Sequence, residues 1–361
     1  MKAWRVSVAG LQLDDVVLPT LQDGWAEIAV EVFQVSVTEA LALNGSSGVE
    51  QDAIAAALGS REPTQLFGHE FCGTIVAIGG NDQNLEVGLR VVSLPTFPCR
   101  HCTACRAGAG ERCDSRQVVG VHVSGCFAER VRLPLETLVM VPDSVASSSA
   151  AAAQPLSSCI AAMKSYVTSM PGEPVVVIGL GPMGLFLIQL ARLYGANPVV
   201  GVARRPETHE AAMRLGADLV AVPDDCVDCV RELTNGRGAK FVFEAAGAER
   251  GVQPMAFPAL QLAASVCSAG GTIIETGTFE GPFEFDANAG FRTKYLRYAF
   301  KEPADLQDLQ AGIELLANGE ITVPISHRFG SLDALPQAIS TTLDKGQFSV
   351  VGTVQVSVNS R

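Results

Sequence analysis

Two short segments of this 361-residue chain carry residue types and spacings that do chemistry. The first is Gly179-Leu180-Gly181-Pro182-Met183-Gly184, a G-x-G-x-x-G loop. It follows the apolar run Val175-Val176-Val177-Ile178 directly and opens a helical stretch, Leu185 to Tyr194, which is the context that makes such a loop a dinucleotide fingerprint. Gly179 permits a tight turn, Gly181 lets the backbone approach a pyrophosphate, and Gly184 lets the helix pack close to the sheet. Free N–H groups and the positive end of the helix dipole then face the phosphates. A glycine turn that binds nothing would explain the loop, but not the ordered strands and helices around it.

The next strand of such a unit ends in an acid when the cofactor is NAD, because the acid holds the ribose hydroxyls. Here Pro198-Val199-Val200-Gly201-Val202 ends in Ala203-Arg204-Arg205. Two guanidinium groups suit a 2′-phosphate, so the sequence points to NADP(H) rather than NAD(H). Two solvated surface arginines are the bland reading of the same residues.

The second segment is Cys99, Cys102, Cys105 and Cys113, spaced C-x2-C-x2-C-x7-C. Four thiolates this close in sequence surround one tetrahedral Zn²⁺ with no open position, a structural site. An iron–sulfur cluster is the rival, since its ligand runs are equally dense in C-x-x-C. A further pair, Cys226 and Cys229, lies among Asp224, Asp225 and Asp228 and reads as two surface thiols at a helix start.

The elements that must position these groups are legible in outline. The first part reads as short strands with sparse helix. Trp25 to Val35 alternates, Gly73 to Ile78 and Arg90 to Leu94 are β-rich, and Gly79-Gly80-Asn81-Asp82 is a turn. Past Val145 the character changes, with Ser147 to Ala153 leading into a helix over Ser157 to Thr168. Strands and helices then alternate from Val175 to Thr276, the pattern of a doubly wound α/β domain. The tail returns to mixed character: helix from Ala304 to Ala317, strand from Ile325 to Phe329, helix from Leu332 to Leu343, strand from Val350 to Val358. The expected architecture is a Rossmann domain over 156–299 inserted into a mainly β domain built from 1–155 and 300–361, with the cysteine lobe at about 95–115.

Composition narrows the function classes. Nearly half of the residues are apolar, which argues against disorder. A net charge of −12 gives no general electrostatic reason to bind nucleic acid or an anionic membrane. No apolar run is long enough to span a bilayer, and Met1-Lys2-Ala3-Trp4-Arg5-Val6 lacks the apolar core of a signal peptide. The chain is therefore expected to be cytoplasmic, with a small-molecule substrate as its partner.

At this point the sequence resembles the zinc-type medium-chain dehydrogenases, which include alcohol, polyol and threonine dehydrogenases. The resemblance runs essentially end to end. It is carried by Gly68-His69-Glu70, Val87-Gly88-x-Arg90-Val91, the four-cysteine lobe, Phe127-Ala128-Glu129, the glycine loop, Leu215-Gly216-Ala217-Asp218 and Glu244-Ala245-Ala246-Gly247. It implies a GroES-like β domain, a Rossmann domain, an active site in the cleft between them, and a homodimer or homotetramer. It also implies cofactor contacts at Ser158, Ala246 and Thr276.

The family's catalytic zinc pattern is broken here. Ser36 stands where a cysteine belongs, and Gln154 stands where a glutamate or cysteine precedes Pro155-Leu156. His69 and Glu70 remain. A hydroxyl and a neutral amide replace thiolate and carboxylate poorly on Zn²⁺, so loss of the catalytic zinc is expected. Retention through His69, Glu70 and a nearby thiol, Cys72 or Cys159, is the rival. Thr38 matches the family's proton-relay hydroxyl, whereas the relay histidine is replaced by Leu41. The resemblance thus implies a Ser36/Thr38/His69 group able to hydrogen-bond a developing oxyanion. Three functions stand side by side. One is an NADP(H)-dependent carbonyl/alcohol oxidoreductase. The second is a zinc-independent reductase of an activated C=C or iminium. The third is a protein that binds NADP(H) without catalysis. The segment Asn44 to Pro63, with Gly45-Ser46-Ser47-Gly48, is expected to shape one wall of the substrate site.

Overall fold

In the computed structural model, residues 1–44, 51–80, 85–247, 256–277 and 290–358 are described. The run Val175–Ile178 is buried at all four positions, because it lies inside a sheet covered by helices on both faces. Its parallel neighbours are Val199–Val202 on one side and Ala239–Glu244 on the other. Leu219–Ala221 extends the first side, and Cys267–Glu275 followed by Arg297–Phe300 extends the second. All neighbours in this six-stranded sheet run parallel. In order of appearance the strands are arranged 3-2-1-4-5-6, the Rossmann arrangement.

Seven of the remaining strands build a second sheet in which the N-terminal part of the chain meets its C-terminal part, and the other four form two small two-stranded sheets. Trp25–Gln34 pairs with Phe71–Ile78 and Arg130–Pro134, and also with Thr353–Ser357 from the far end of the chain. Gln355 lies opposite Gln34 and Val356 opposite Phe33. Phe33, Phe71, Phe127 and Leu133 fill the core beneath. The two sheets are joined through helix Ala153–Met163, which packs against helix Leu306–Ala317. Gly312 there leaves room for Leu156, whose side chain lies 3.6 Å from where a Cβ would sit. Lys164 adds an ion pair to Asp308 at 2.9 Å.

Several expectations shift in detail. The first part holds more helix than its alternation suggests, since Val37–Leu43 and Gln51–Leu58 are both helical. The helix expected from Ser157 begins at Ala153 and ends at Met163. Residues 45–50 and 81–84, which include Gly45-Ser46-Ser47-Gly48 and Asn81-Asp82, lie outside the described residues. The reading of Cys226 as a surface thiol is corrected. Cys226 is fully buried, because Cys226 and Val230 share the inward face of helix Cys226–Leu233 at i, i+4 spacing. Only Cys229 is half-exposed.

Leu156 is fully buried at the junction between the two sheets. Leu156→Ala is expected to lower stability by about 2–5 kcal/mol, read from the urea midpoint. A change below about 1 kcal/mol would show that the junction collapses around the smaller side chain.

Candidate functional site

The glycine loop sits at the point where the Rossmann strand order reverses, between Val175–Ile178 and Ala239–Glu244. Each glycine has its own steric reason. Gly179 has φ +92°, and a Cβ there would meet the Ala246 amide nitrogen at 2.6 Å. A Cβ on Gly184 would fall 1.8 Å from the Gly179 carbonyl oxygen. A Cβ on Gly181 would meet nothing within 4 Å, so this glycine borders open space. Gly181 caps helix Pro182–Leu193, with Pro182 at its first turn, where no amide donor is missed. Leu180 is buried beneath the loop against Gly201.

A cleft of about 370 Å³ opens above the loop. It brings together Ser36, Thr38, His69, Glu70, Gln154 and Ser158 from the β side and the junction helix. From the Rossmann side it gathers Gly181, Pro182, Met183, Ala246, Thr276 and Lys301. Thr353, from the far end of the chain, also lines it; among the described residues its buried hydroxyl has no hydrogen-bond partner. Ala203, Arg204 and Arg205 stand outside this cleft, at the end of Val199–Val202. Arg204 is exposed there. Arg205 turns toward the C-terminal segment and donates to the Val350 carbonyl at 2.9 Å and the Lys345 carbonyl at 3.4 Å.

The polar centre of the cleft is organised by Glu39, which the sequence reading passed over. Ser36 caps helix Val37–Leu43, accepting from the Glu39 amide at 3.1 Å and donating its hydroxyl hydrogen to Glu39 Oε2 at 3.0 Å. Glu39 Oε1 accepts from the Gly68 amide at 2.7 Å and lies 2.7 Å from His69 Nδ1. The signal for this arrangement is the spacing Ser36-x-x-Glu39, a capping box. Gly68 has φ +87°, and a Cβ there would lie 2.6 Å from the Phe127 amide nitrogen, so the backbone before His69 is fixed as well. His69 Nε2 is 3.7 Å from Glu70 Oε1. Gln34, a second missed residue, hydrogen-bonds Glu70 Oε2.

Charges follow from this geometry. Burial by itself would lower the His69 pKa, but the charge and hydrogen bond of Glu39 outweigh it, with help from Glu70, and raise it to about 9. Burial would raise Glu39, yet His69 and the hydrogen bonds from Gly68 and Ser36 hold it below the usual carboxylate value. Burial pushes Glu70 up to about 7; Glu39's charge adds to this, while His69 and Gln34 oppose it.

A second acid pair lies under the cofactor side. Glu244 Oε1 accepts from the amides of Ala246 at 2.9 Å and Gly247 at 3.2 Å. Glu275 Oε1 accepts from the Gly277 amide at 2.8 Å, and Tyr298 donates to Glu275 Oε2 at 3.1 Å. The two side chains are buried beside each other, so burial, followed by the charge of Glu244, holds Glu275 well above the carboxylate range. Burial raises Glu244 as well, and its carboxyl orients the Ala246-Gly247 backbone through the two amide hydrogen bonds.

The cysteine lobe lies apart from the cleft. Its four sulfurs are all within 4.8 Å of one another, with Cys99 and Cys105 at 4.0 Å and Cys102 and Cys113 at 3.8 Å. A tetrahedral zinc at roughly 2.3 Å from each sulfur separates them by roughly 3.8 Å, so the four fit a single ion. A multi-iron cluster places its own cage between the thiolates and holds them further apart. Amides of Cys99 and Cys102 also point at Cys113 Sγ and Cys99 Sγ, both at 3.3 Å, as expected for thiolate acceptors.

The donors beside His69 do not fit a zinc in the same way. The Ser36 hydroxyl is committed to Glu39, and Gln154 Nε2 faces Ser158 Oγ at 3.3 Å. Cys72 and Cys159 are fully buried and do not line the cleft; the Cys159 thiol points to the Met183 carbonyl at 3.5 Å. Among the described residues, the four-cysteine lobe is the only cluster of three or more His, Cys, Asp or Glu groups close enough to share an ion.

Comparisons with known proteins agree with the fold. Residues 22–143 match the alcohol dehydrogenase GroES-like domain, and residues 182–318 match the zinc-binding dehydrogenase domain. D-arabitol-phosphate dehydrogenase of Enterococcus avium is 28% identical over 262 residues, 72% of each chain. L-galactonate-5-dehydrogenase of Escherichia coli is 29% identical over 268 residues, 73% of this chain and 76% of that one. A zinc-binding dehydrogenase from Sinorhizobium meliloti, crystallised with NADP, superposes with a TM-score of 0.81 at 26% identity, covering 99% of this chain and 98% of the other. The alcohol dehydrogenase of Thermus sp. ATN1 also gives a TM-score of 0.81, at 25% identity, covering 99% of this chain and 100% of the other.

Metal analysis of the purified protein is expected to find about one zinc per chain, lost on Cys102→Ser. About two per chain would place an ion in the cleft as well. A second expectation concerns pH. Glu275 binds its proton more tightly folded than unfolded, so its contribution to stability is complete below the ordinary value of 4.5 and erodes as pH rises above it. Glu275→Gln stays neutral and should flatten that decline in urea midpoints measured from about pH 5 to about pH 9. A variant with the parent's slope would remove the pair as its cause.

Proposed function

The chain belongs to the zinc-type medium-chain dehydrogenase/reductase family, and on that premise we propose that it is an NADP(H)-dependent oxidoreductase acting on a small carbonyl or alcohol without a catalytic zinc. The observation that carries this reading is the His69 imidazole. Glu39 holds it at Nδ1, and the residue lines the cleft together with Thr38 and Ser158, where the family pattern expects a metal.

Bound NADP(H) supplies or takes the hydride. In the reducing direction the carbonyl carbon gains hydride and its π electrons move to oxygen. His69 Nε2 gives that oxygen a proton, and Glu39 stabilises the imidazolium beforehand. Thr38 donates a hydrogen bond to the same oxygen. Ser36 serves as the cap that fixes Glu39, because its hydrogen already goes to that carboxylate. Glu70 and Gln154 border the substrate. In the oxidising direction His69 Nε2 takes the alcohol proton. The same donor set without a Lewis acid also suits a conjugated C=C or an iminium, whose carbon is already electrophilic, and this is the second reading.

The preference for NADP(H) rests on Arg204, exposed at the end of Val199–Val202, a strand whose sequence ends in Ala203-Arg204-Arg205 rather than in an acid. Arg205 is tied to the C-terminal segment and acts as a clamp between the two halves of the cleft. The cysteine lobe takes a structural zinc. We assign 1–155 and the chain beyond the Rossmann edge strand Arg297–Phe300 to the β domain, and the segment between them to the nucleotide domain. We further infer a homodimer or homotetramer, and residence in the reducing cytoplasm; the ten unpaired cysteines support the latter.

Fluorescence titration with NADPH and NADH, followed by a carbonyl and alcohol screen, tests this reading. Arg204→Ala is expected to lose the preference for NADPH, and an unchanged preference would remove Arg204 from cofactor selection. His69→Gln should bind NADPH as the parent does but lower kcat by roughly 10²- to 10⁴-fold. Turnover unaffected by that change would exclude His69 from the chemistry.

A further inference from the structure

The cleft contains a cation that the chemistry above does not use. Lys301 follows strand Arg297–Phe300 directly, and its amide donates to the Glu275 carbonyl at 3.0 Å, which anchors its backbone beside Thr276. The side chain is half-buried and lines the cleft. Among the described residues its ammonium has neither a hydrogen bond nor an ion pair, and burial keeps the neighbouring Cys159 thiol uncharged. Burial draws its pKa down from the ordinary lysine value. A half-buried ammonium facing a cavity without a counter-charge costs stability unless a ligand supplies the missing anion.

The cofactor's phosphates do not fill that role. The pyrophosphate belongs at the glycine loop after Val175–Ile178 and the 2′-phosphate at Arg204, after Val199–Val202. Lys301 lies three strands away from the loop on the opposite side, across Ala239–Glu244 and Cys267–Glu275. At about 4.8 Å per strand this is a lateral offset of roughly 14 Å, beyond the reach of a lysine side chain to a phosphate. That distance places Lys301 at the nicotinamide end, where substrate sits.

We propose that Lys301 is a specificity-determining residue that anchors a carboxylate or phosphate group on the substrate. This rests on the oxidoreductase reading of the same cleft and narrows its substrate to anionic hydroxy or oxo compounds. The ammonium pairs with the anion, and the reacting carbon is held between the nicotinamide and His69.

The test uses the full-length protein saturated with NADPH, with nicotinamide fluorescence as readout and alcohol-state compounds that cannot accept hydride as probes. 3-Hydroxybutyrate is compared with its methyl ester, and arabitol 5-phosphate with arabitol. At least one anion is expected to bind roughly tenfold to hundredfold tighter than its neutral counterpart. Lys301→Gln should abolish that difference while leaving the NADPH affinity and the binding of neutral probes unchanged, and Lys301→Arg should retain it. No anion preference in the parent, or a preference that survives Lys301→Gln, overturns the inference while the oxidoreductase reading stands. An equal loss of NADPH binding in Lys301→Gln places Lys301 on the cofactor and overturns it too. A parent that binds no NADPH overturns both readings.

Discussion

The buried carboxylate of Glu39 is the interaction on which the cleft depends. It accepts from the Ser36 hydroxyl and the Gly68 amide and meets His69 Nδ1. Those contacts fasten the start of helix Val37–Leu43 to the turn before strand Phe71–Ile78. An ionised carboxylate out of water survives only with its lone pairs met and an opposite charge beside it. Removing one partner of such a pair costs on the order of 3–5 kcal/mol, so His69 and Glu39 hold one another in place. The histidine that lines the cleft is thereby fixed in ring orientation.

That arrangement explains how the family's frame can lose two metal ligands without losing the shape of the site. A zinc ion organises its ligands by coordination; hydrogen bonds and a charge pair already order Ser36, Glu39 and His69. Ser36, in the place of a cysteine, is a good helix cap where a thiol is a weak acceptor. Gln154, in the place of an acid, takes its partner from Ser158 one turn along the same helix. The substitutions are consistent with each other, because each replaces a ligand with a group that is satisfied locally.

The cofactor side obeys a different constraint, that of close backbone approach. Gly179 abuts Ala246 across the point where strand order reverses, and Gly184 abuts Gly179. Glu244 and Glu275 then order the loops beyond by accepting amide hydrogens from Ala246, Gly247 and Gly277. Two acids side by side at the ends of parallel strands share one proton, since both cannot ionise in so little water. The nucleotide face is therefore set by backbone contacts and the substrate face by side-chain charges.

The sequence by itself determined the glycine loop, the alternating strands and helices and the four-cysteine lobe. Each is a local pattern whose physics is complete within a few residues. It also exposed the broken zinc pattern, because Ser36 and Gln154 are legible as residue types. It did not reveal Glu39 as the hub, nor Gln34 behind Glu70. Their partners lie roughly 30 positions away in the chain, and only the pairing of Trp25–Gln34 with Phe71–Ile78 brings them together. Cys226 misled for a related reason: acidic neighbours mark a surface, while burial depends on which side of the helix meets the sheet. Arg204 and Arg205 look equivalent as a pair, yet the C-terminal segment captures one and leaves the other exposed. Lys301 is one of many charged residues in sequence. Tertiary structure alone set it in the wall of a cavity with no ion-pair partner among the described residues, because it follows the last strand of a parallel sheet whose order no local pattern encodes.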